Sequence, residues 1–107
     1  MRLVGVDTPE TKHPNKPVEY FGKEASAFTE RMVHGKKVRL EYDQNRRDRY
    51  GRLLAYVYLE DGTFLNAEIV KQGYGHAYTR FPFKYLDDFR GYEKDARENN
   101  RGLWRDR

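Results

Sequence analysis

Arg2-Leu3-Val4-Gly5-Val6-Asp7-Thr8-Pro9-Glu10 is the stretch that decides how this chain folds. Leu3-Val4-Gly5-Val6 is a short apolar run that reads as a strand, and Asp7-Thr8-Pro9 closes it as a turn. Pro9 fixes its own φ and pushes Thr8 towards extended backbone, so the corner is stiff. Two carboxylates, Asp7 and Glu10, sit on it three residues apart. Such a corner has two readings. One is a solvated turn, or a turn leading into a helix. The other is a hard-cation site, with one carboxylate on the ion and the second orienting a water. Arg2 opens the strand that delivers the corner, and Arg52 opens a later strand after Tyr50-Gly51. A guanidinium presents a planar set of donors that matches two phosphate oxygens at once. A pair of them beside a metal-binding carboxylate would stabilise the charge gained in a five-coordinate phosphoryl transition state. Taken singly, each also fits a solvated strand edge.

Outward from this corner, Pro14 and Pro17 keep the next segment irregular. From about Glu19, the apolar residues Phe21, Ala25, Phe28 and Met32 fall on one helical face, and Gly35 stops the helix. Val38, Leu40 and Tyr42 alternate with Arg39, Glu41 and Asp43, the period of a half-buried strand. A charged turn, residues 44–49, leads to a second strand from Leu53 to Leu59. A short helix carrying Leu65, Ile69 and Val70 ends at Gly73. Residues 74–80 read as extended or irregular, and Phe81-Pro82-Phe83 breaks them. A last helix spans about Tyr85 to Asn100 with Tyr85, Phe89, Tyr92 and Ala96 inward, and Gly102 frees Leu103 and Trp104 to fold back. Strands and helices are mixed without strict alternation, so the class is α+β.

The chain has 107 residues, enough for one domain with one modest core. Aromatic residues at 15% supply large buried area and argue against disorder. A formal charge of +4 favours a polyanionic partner only weakly. There is no cysteine, which removes disulfides and thiolate metal sites and leaves the compartment open. No apolar run approaches the ~20 residues that span a bilayer, and the N-terminal apolar run is too short for a signal peptide.

Four motifs, in order along nearly the whole chain, carry a resemblance. Arg2 to Thr11, continued by Lys12-His13-Pro14, is similar to the strand and metal turn of the staphylococcal nuclease (thermonuclease) family. Asp48-Arg49-Tyr50-Gly51-Arg52-Leu53-Leu54-Ala55-Tyr56 resembles its Tyr-Gly-Arg signature. Asn66-Ala67-Glu68-Ile69-Val70-Lys71-Gln72-Gly73 resembles its second helix, and Asn100-Arg101-Gly102-Leu103-Trp104 its ending. The resemblance implies a single thermonuclease-like domain over residues 1–107, built on an OB-fold-like β-barrel with three helices. It implies calcium-dependent hydrolysis of phosphodiester bonds in DNA and RNA, preferring single strands and leaving 3′-phosphates. By the same likeness, Asp7 would ligate Ca2+ through its carboxylate and Thr8 through its carbonyl. Glu10 would position or deprotonate the water, and Arg2 and Arg52 would clamp the phosphate. Arg49, Tyr50 and Tyr78 would bind the nucleotide, Arg49 replacing a lysine of the family.

The chain departs from the family twice. The family's second nucleotide-binding tyrosine, two places after Tyr78, is Arg80. The opening β-hairpin, which supplies a further aspartate ligand and two barrel strands, has no counterpart, so the expected barrel is partial. Neither Asp43 nor Asp48 takes over that ligand role. Weaker calcium binding, and self-association through the uncovered barrel edge, are the physical expectations. His13, His34 and His76 lack metal-ligand spacing. The acids of the last helix alternate with basic residues as an ion-paired, solvated face. Tyr56, Tyr58 and Tyr85 read as core or rim, and Arg46-Arg47 as a basic turn beside the groove. The competing reading is a non-catalytic nucleic-acid- or protein-binding module on the same fold.

Overall fold

The computed structural model describes residues 2–8, 21–43, 46–47 and 51–105. Strand β1 (Arg2–Leu3) pairs parallel with β4 (Leu54–Leu59), Arg2 opposite Leu54 and Leu3 opposite Ala55. Strand β3 (Val38–Glu41) pairs antiparallel with the far side of β4, Val38 opposite Leu59 and Glu41 opposite Tyr56, giving the order β1-β4-β3. The expected single N-terminal strand is two. At Gly5 the backbone takes a φ of +75° and the chain leaves β4, so that β2 (Val6–Asp7) pairs antiparallel with β5 (His76–Ala77). A side chain at Gly5 would meet the Phe83 ring at 2.6 Å and Phe89 at 2.9 Å. Glycine is required there both for the left-handed backbone and for the close approach of those rings.

Three helices cover these strands: α1 (Gly22–Val33), α2 (Leu65–Lys71) and α3 (Leu86–Glu98). Phe21, Ala25 and Phe28 are buried along α1 at the expected spacing. Phe28 stacks on Tyr74 with centroids 4.2 Å apart. Helix α2 is the hub, packing against α1, α3, β2 and β4. Its Leu65, Ala67, Ile69 and Val70 join Val6, Val57 and Phe89 in one core. Phe89 and Ala96 face inward on α3, and the chain ends in a 3-10 turn at Gly102–Trp104. As expected, the ending folds back: Leu103 N–H donates to Gly73 C=O at 2.7 Å.

The class is α+β, as the sequence indicates. Among the described residues the strands form a three-stranded and a two-stranded sheet, with no closed barrel. The alternation expected for Val38, Leu40 and Tyr42 is only partly realised. Val38 is 42% and Tyr42 38% exposed, because β3 is the outer strand and has one neighbour among the described strands.

Buried Asn66 ties α2 to β4 and to the turn at Val4. Its Oδ1 accepts from Val57 N–H at 2.9 Å, and its Nδ2 donates to Val4 C=O at 3.0 Å and Ala55 C=O at 3.1 Å. The β1·β4 ladder reaches Val4 N–H to Ala55 C=O and then ends as the chain turns away. The next inward-facing donor on that edge of β4 takes a side-chain amide in place of a strand. Unpaired buried backbone groups are costly, and this amide satisfies them.

Candidate functional site

The turn at Val4–Gly5 points the chain towards β5, and Arg2, Asp7, Thr8 and Tyr78 of the expected site residues lie on the segments either side of it. Val6 lies opposite Ala77 and Asp7 opposite His76. Beyond that ladder, Tyr78 N–H donates to Gly5 C=O at 2.8 Å, which locks Tyr78 against the turn. The Arg2 guanidinium lies over the Tyr78 ring, 5.3 Å from its centroid. A phosphate-binding candidate and a nucleotide-binding candidate are thus in direct contact, and the cation–π attraction holds both in place. Val6 is buried, whereas Asp7 and Thr8, at the end of β2, are exposed. Gly75 supports this corner: a Cβ there would come within 3.2 Å of the Thr8 methyl and 3.3 Å of the Asp7 carbonyl oxygen.

Arg52 is exposed and precedes Leu53, whose carbonyl accepts the Arg2 N–H at 2.7 Å. The main chains carrying the two arginines are therefore adjacent. Glu10, Arg49 and Tyr50 lie outside the described residues. Among the described residues no group of three or more His, Asp or Glu side chains could hold a metal ion.

Some residues do more than the sequence suggests. Asp43 Oδ2 accepts from Tyr56 O–H at 2.5 Å and from Lys84 N–H at 3.0 Å, fixing the segment before α3 to the sheet. Burial, then the hydrogen bond and charge of Asp43, hold the Tyr56 phenol above its ordinary pKa. Glu93, expected on a solvated face, is mostly covered. Its Oε2 accepts from Ala77 N–H at 2.8 Å and lies 3.9 Å from His76 Nδ1, while Oε1 is 3.5 Å from Arg97. The other acids of α3 follow the expected pattern, as in the Lys94–Glu98 pair at 4.0 Å. The sequence shows Asn66 only as part of the second-helix motif, and nothing in it indicates the partners of its side chain.

The described residues form an α+β fold of two small sheets, with Asp7 on β2 and the Arg2 guanidinium over the Tyr78 ring just beyond β5. Comparison with known proteins specifies it further. Residues 1–106 match the sequence profile of the staphylococcal nuclease homologue family. The chain is 46% identical to the thermonuclease of Staphylococcus hyicus over 105 residues, covering 97% of this chain and 62% of the relative. With the thermonuclease of Staphylococcus intermedius the identity is 44% at the same coverage. With the endonuclease YncB of Bacillus subtilis (strain 168) it is 43%, covering 97% of this chain and 50% of the relative. The chain belongs to the staphylococcal nuclease homologue family. It spans about three fifths of the length of the thermonucleases it matches.

Proposed function

We propose that this domain is a nuclease that hydrolyses phosphodiester bonds of DNA and RNA with calcium, prefers single strands and leaves 3′-phosphates. One observation supports the reading: the β2–β5 ladder carries Asp7 on one strand and leads into Tyr78 on the other, with the Arg2 guanidinium over the Tyr78 ring. Family membership, and the nuclease names of its relatives, support it.

The donor set is chemically suited to calcium, since a carboxylate and a backbone carbonyl are hard oxygen ligands. Asp7 and Thr8 would hold the ion, which when bound supplies positive charge to a phosphate oxygen. Glu10 orients a water and takes its proton as the water oxygen bonds to phosphorus. Arg2 and Arg52 clamp the non-bridging oxygens and stabilise the charge gained in the transition state. The bond to the 5′ oxygen breaks, leaving a 5′-hydroxyl and a 3′-phosphate. Tyr78, with Arg49 and Tyr50, holds the nucleotide through stacking that tolerates any base. An open OB-like sheet would present this groove.

Denatured DNA incubated with calcium, with chelator, and with the Glu10→Gln protein tests the proposal. Cleavage should require calcium and stop on the substitution. Arg52→Lys keeps the charge but loses the planar donor pair and should lower kcat by roughly 10²-fold or more. Binding without cleavage under any metal would overturn the assignment and leave a binding module.

A further inference from the structure

Phe81 and Phe83 flank Pro82, yet the structure treats them oppositely. Phe83 packs inward, edge-on to Phe89 at 5.3 Å and against the Gly5 backbone. Phe81 is turned outward and is 61% exposed, the most exposed large hydrophobic residue among those described. Scattered exposed apolar residues are ordinary on protein surfaces. This one differs in being held out from both sides. On one side the Tyr78 N–H is bonded to Gly5 C=O at 2.8 Å, and on the other Phe83 is anchored in the core. Pro82 restricts the backbone between ring and anchor. The backbone that carries Phe81 is therefore anchored on both sides, and the ring is exposed to water.

Its surroundings indicate what would cover it. The Phe81 ring lies 6.2 Å from Tyr78, tilted by 46°, and Tyr78 carries the Arg2 guanidinium on its own ring. Exposed Arg80 and Lys84 flank Phe81 in sequence. The nearby carboxylate of Asp43 is engaged by Tyr56 and the Lys84 backbone. Arg2, Tyr78 and Phe81 thus run cation, aromatic, aromatic, an order that matches the phosphate and unstacked bases of a single-stranded nucleic acid.

We propose that Phe81 is a base-stacking subsite for an unpaired nucleobase next to the one at Tyr78. The chain thus supplies its second aromatic platform one residue beyond Arg80. A base paired in a duplex has both faces covered by its neighbours and gains nothing from the ring, so Phe81 selects single-stranded or frayed segments. The inference rests on the nucleic-acid substrate of the proposed function, but not on cleavage.

The test is fluorescence anisotropy of a fluorescein-labelled oligothymidylate and of a labelled hairpin duplex, both in chelator so that no hydrolysis intervenes. Phe81→Ala and Phe81→Leu should weaken oligothymidylate binding by about five- to tenfold, the lower part of the range for loss of one base–aromatic stack. Phe81→Trp should bind as tightly as the parent or tighter, and duplex binding should stay within about twofold in all variants. Leucine retains bulk and hydrophobicity without a π-face, so it separates stacking from simple apolar contact. Melting curves should coincide, since the ring is outside the core. Oligothymidylate affinity unchanged in Phe81→Ala and Phe81→Leu, or lost equally for the duplex, overturns the proposal. A protein that shows the Phe81 pattern but never cleaves loses only the nuclease assignment. A calcium-dependent nuclease indifferent to Phe81→Ala in this binding assay loses only the subsite.

Discussion

Asn66→Leu removes a side chain of similar volume that bonds three backbone groups, and the structure sets the size of the loss. Ala55 C=O keeps the Val4 N–H at 3.1 Å, so it retains a partner. Val57 N–H and Val4 C=O lose the side-chain amide that satisfies them. Leaving one buried backbone group unsatisfied costs about 1–3 kcal/mol, so two predict about 3–4 kcal/mol. A domain of this size has about 5–15 kcal/mol in total, so the variant is severely weakened. Urea unfolding followed by the single tryptophan, Trp104, reads the change. With a slope of about 1.5 kcal/mol per molar, the midpoint should fall by roughly 2 M or more. Asn99 is a control of the same type. Its side chain is exposed and bonds Asp95 C=O within its own helix end at 2.8 Å. Asn99→Leu should shift the midpoint by less than about 0.5 M, as surface changes usually do. If Asn66→Leu does no more than Asn99→Leu, water or backbone movement satisfies Val57 and Val4, and Asn66 does not hold the turn.

Two further perturbations probe the frame. Gly73 has a φ of +80°, and a Cβ there would overlap the Arg101 carbonyl, so Gly73→Ala should cost about 2–4 kcal/mol in the same urea assay; a loss below about 1 kcal/mol would show that the C-terminal turn simply moves aside. Tyr56 is held above its ordinary pKa by burial and then Asp43, and Tyr58 by burial and then the Tyr85 hydroxyl. A phenol whose folded pKa is raised contributes stability that is intact below its unfolded value of about 10 and is lost as pH rises through the folded value. Ultraviolet titration should therefore show a tyrosine ionisation that coincides with alkaline unfolding, and Tyr56→Phe should reduce its amplitude; an unchanged amplitude in Tyr56→Phe would refute the assignment.

Local chemistry made the end of the first strands legible: the apolar run closes at Asp7 and Thr8, which are exposed at the end of β2, while Pro9 and Glu10 lie outside the described residues. Helical spacing identified the buried faces of α1 and α3 for the same reason. Features set by distant partners were not legible. Leu3-Val4-Gly5-Val6 reads as one strand, and only the different partners of its halves, β4 and β5, split it at Gly5. The Asn66 amide meets Val4, which is 62 positions away. Glu93 looked like any acid on a charged helix, because nothing local announces that the Ala77 N–H needs an acceptor. Phe81 and Phe83 are chemically identical, and only the ring of Phe89 beneath Phe83 tells them apart.

These misses share a physical cause that bears on function. Short strands leave ladder positions without a strand partner, and polar side chains take them: Asn66 on the edge of β4 and Glu93 on Ala77. Both side chains hold segments that carry the candidate site. Asn66 binds the carbonyl of Val4, immediately before the turn that aims Asp7, and Glu93 binds the residue before Tyr78. The strands at the site are only two residues long, and isolated pairings of that length have little stability of their own. The relative placement of Asp7, Arg2 and Tyr78 is therefore governed by α2 and α3, through one amide and one carboxylate. Substitutions at Asn66 and Glu93 should alter the geometry of the corner without touching a substrate, and both act as positioning residues.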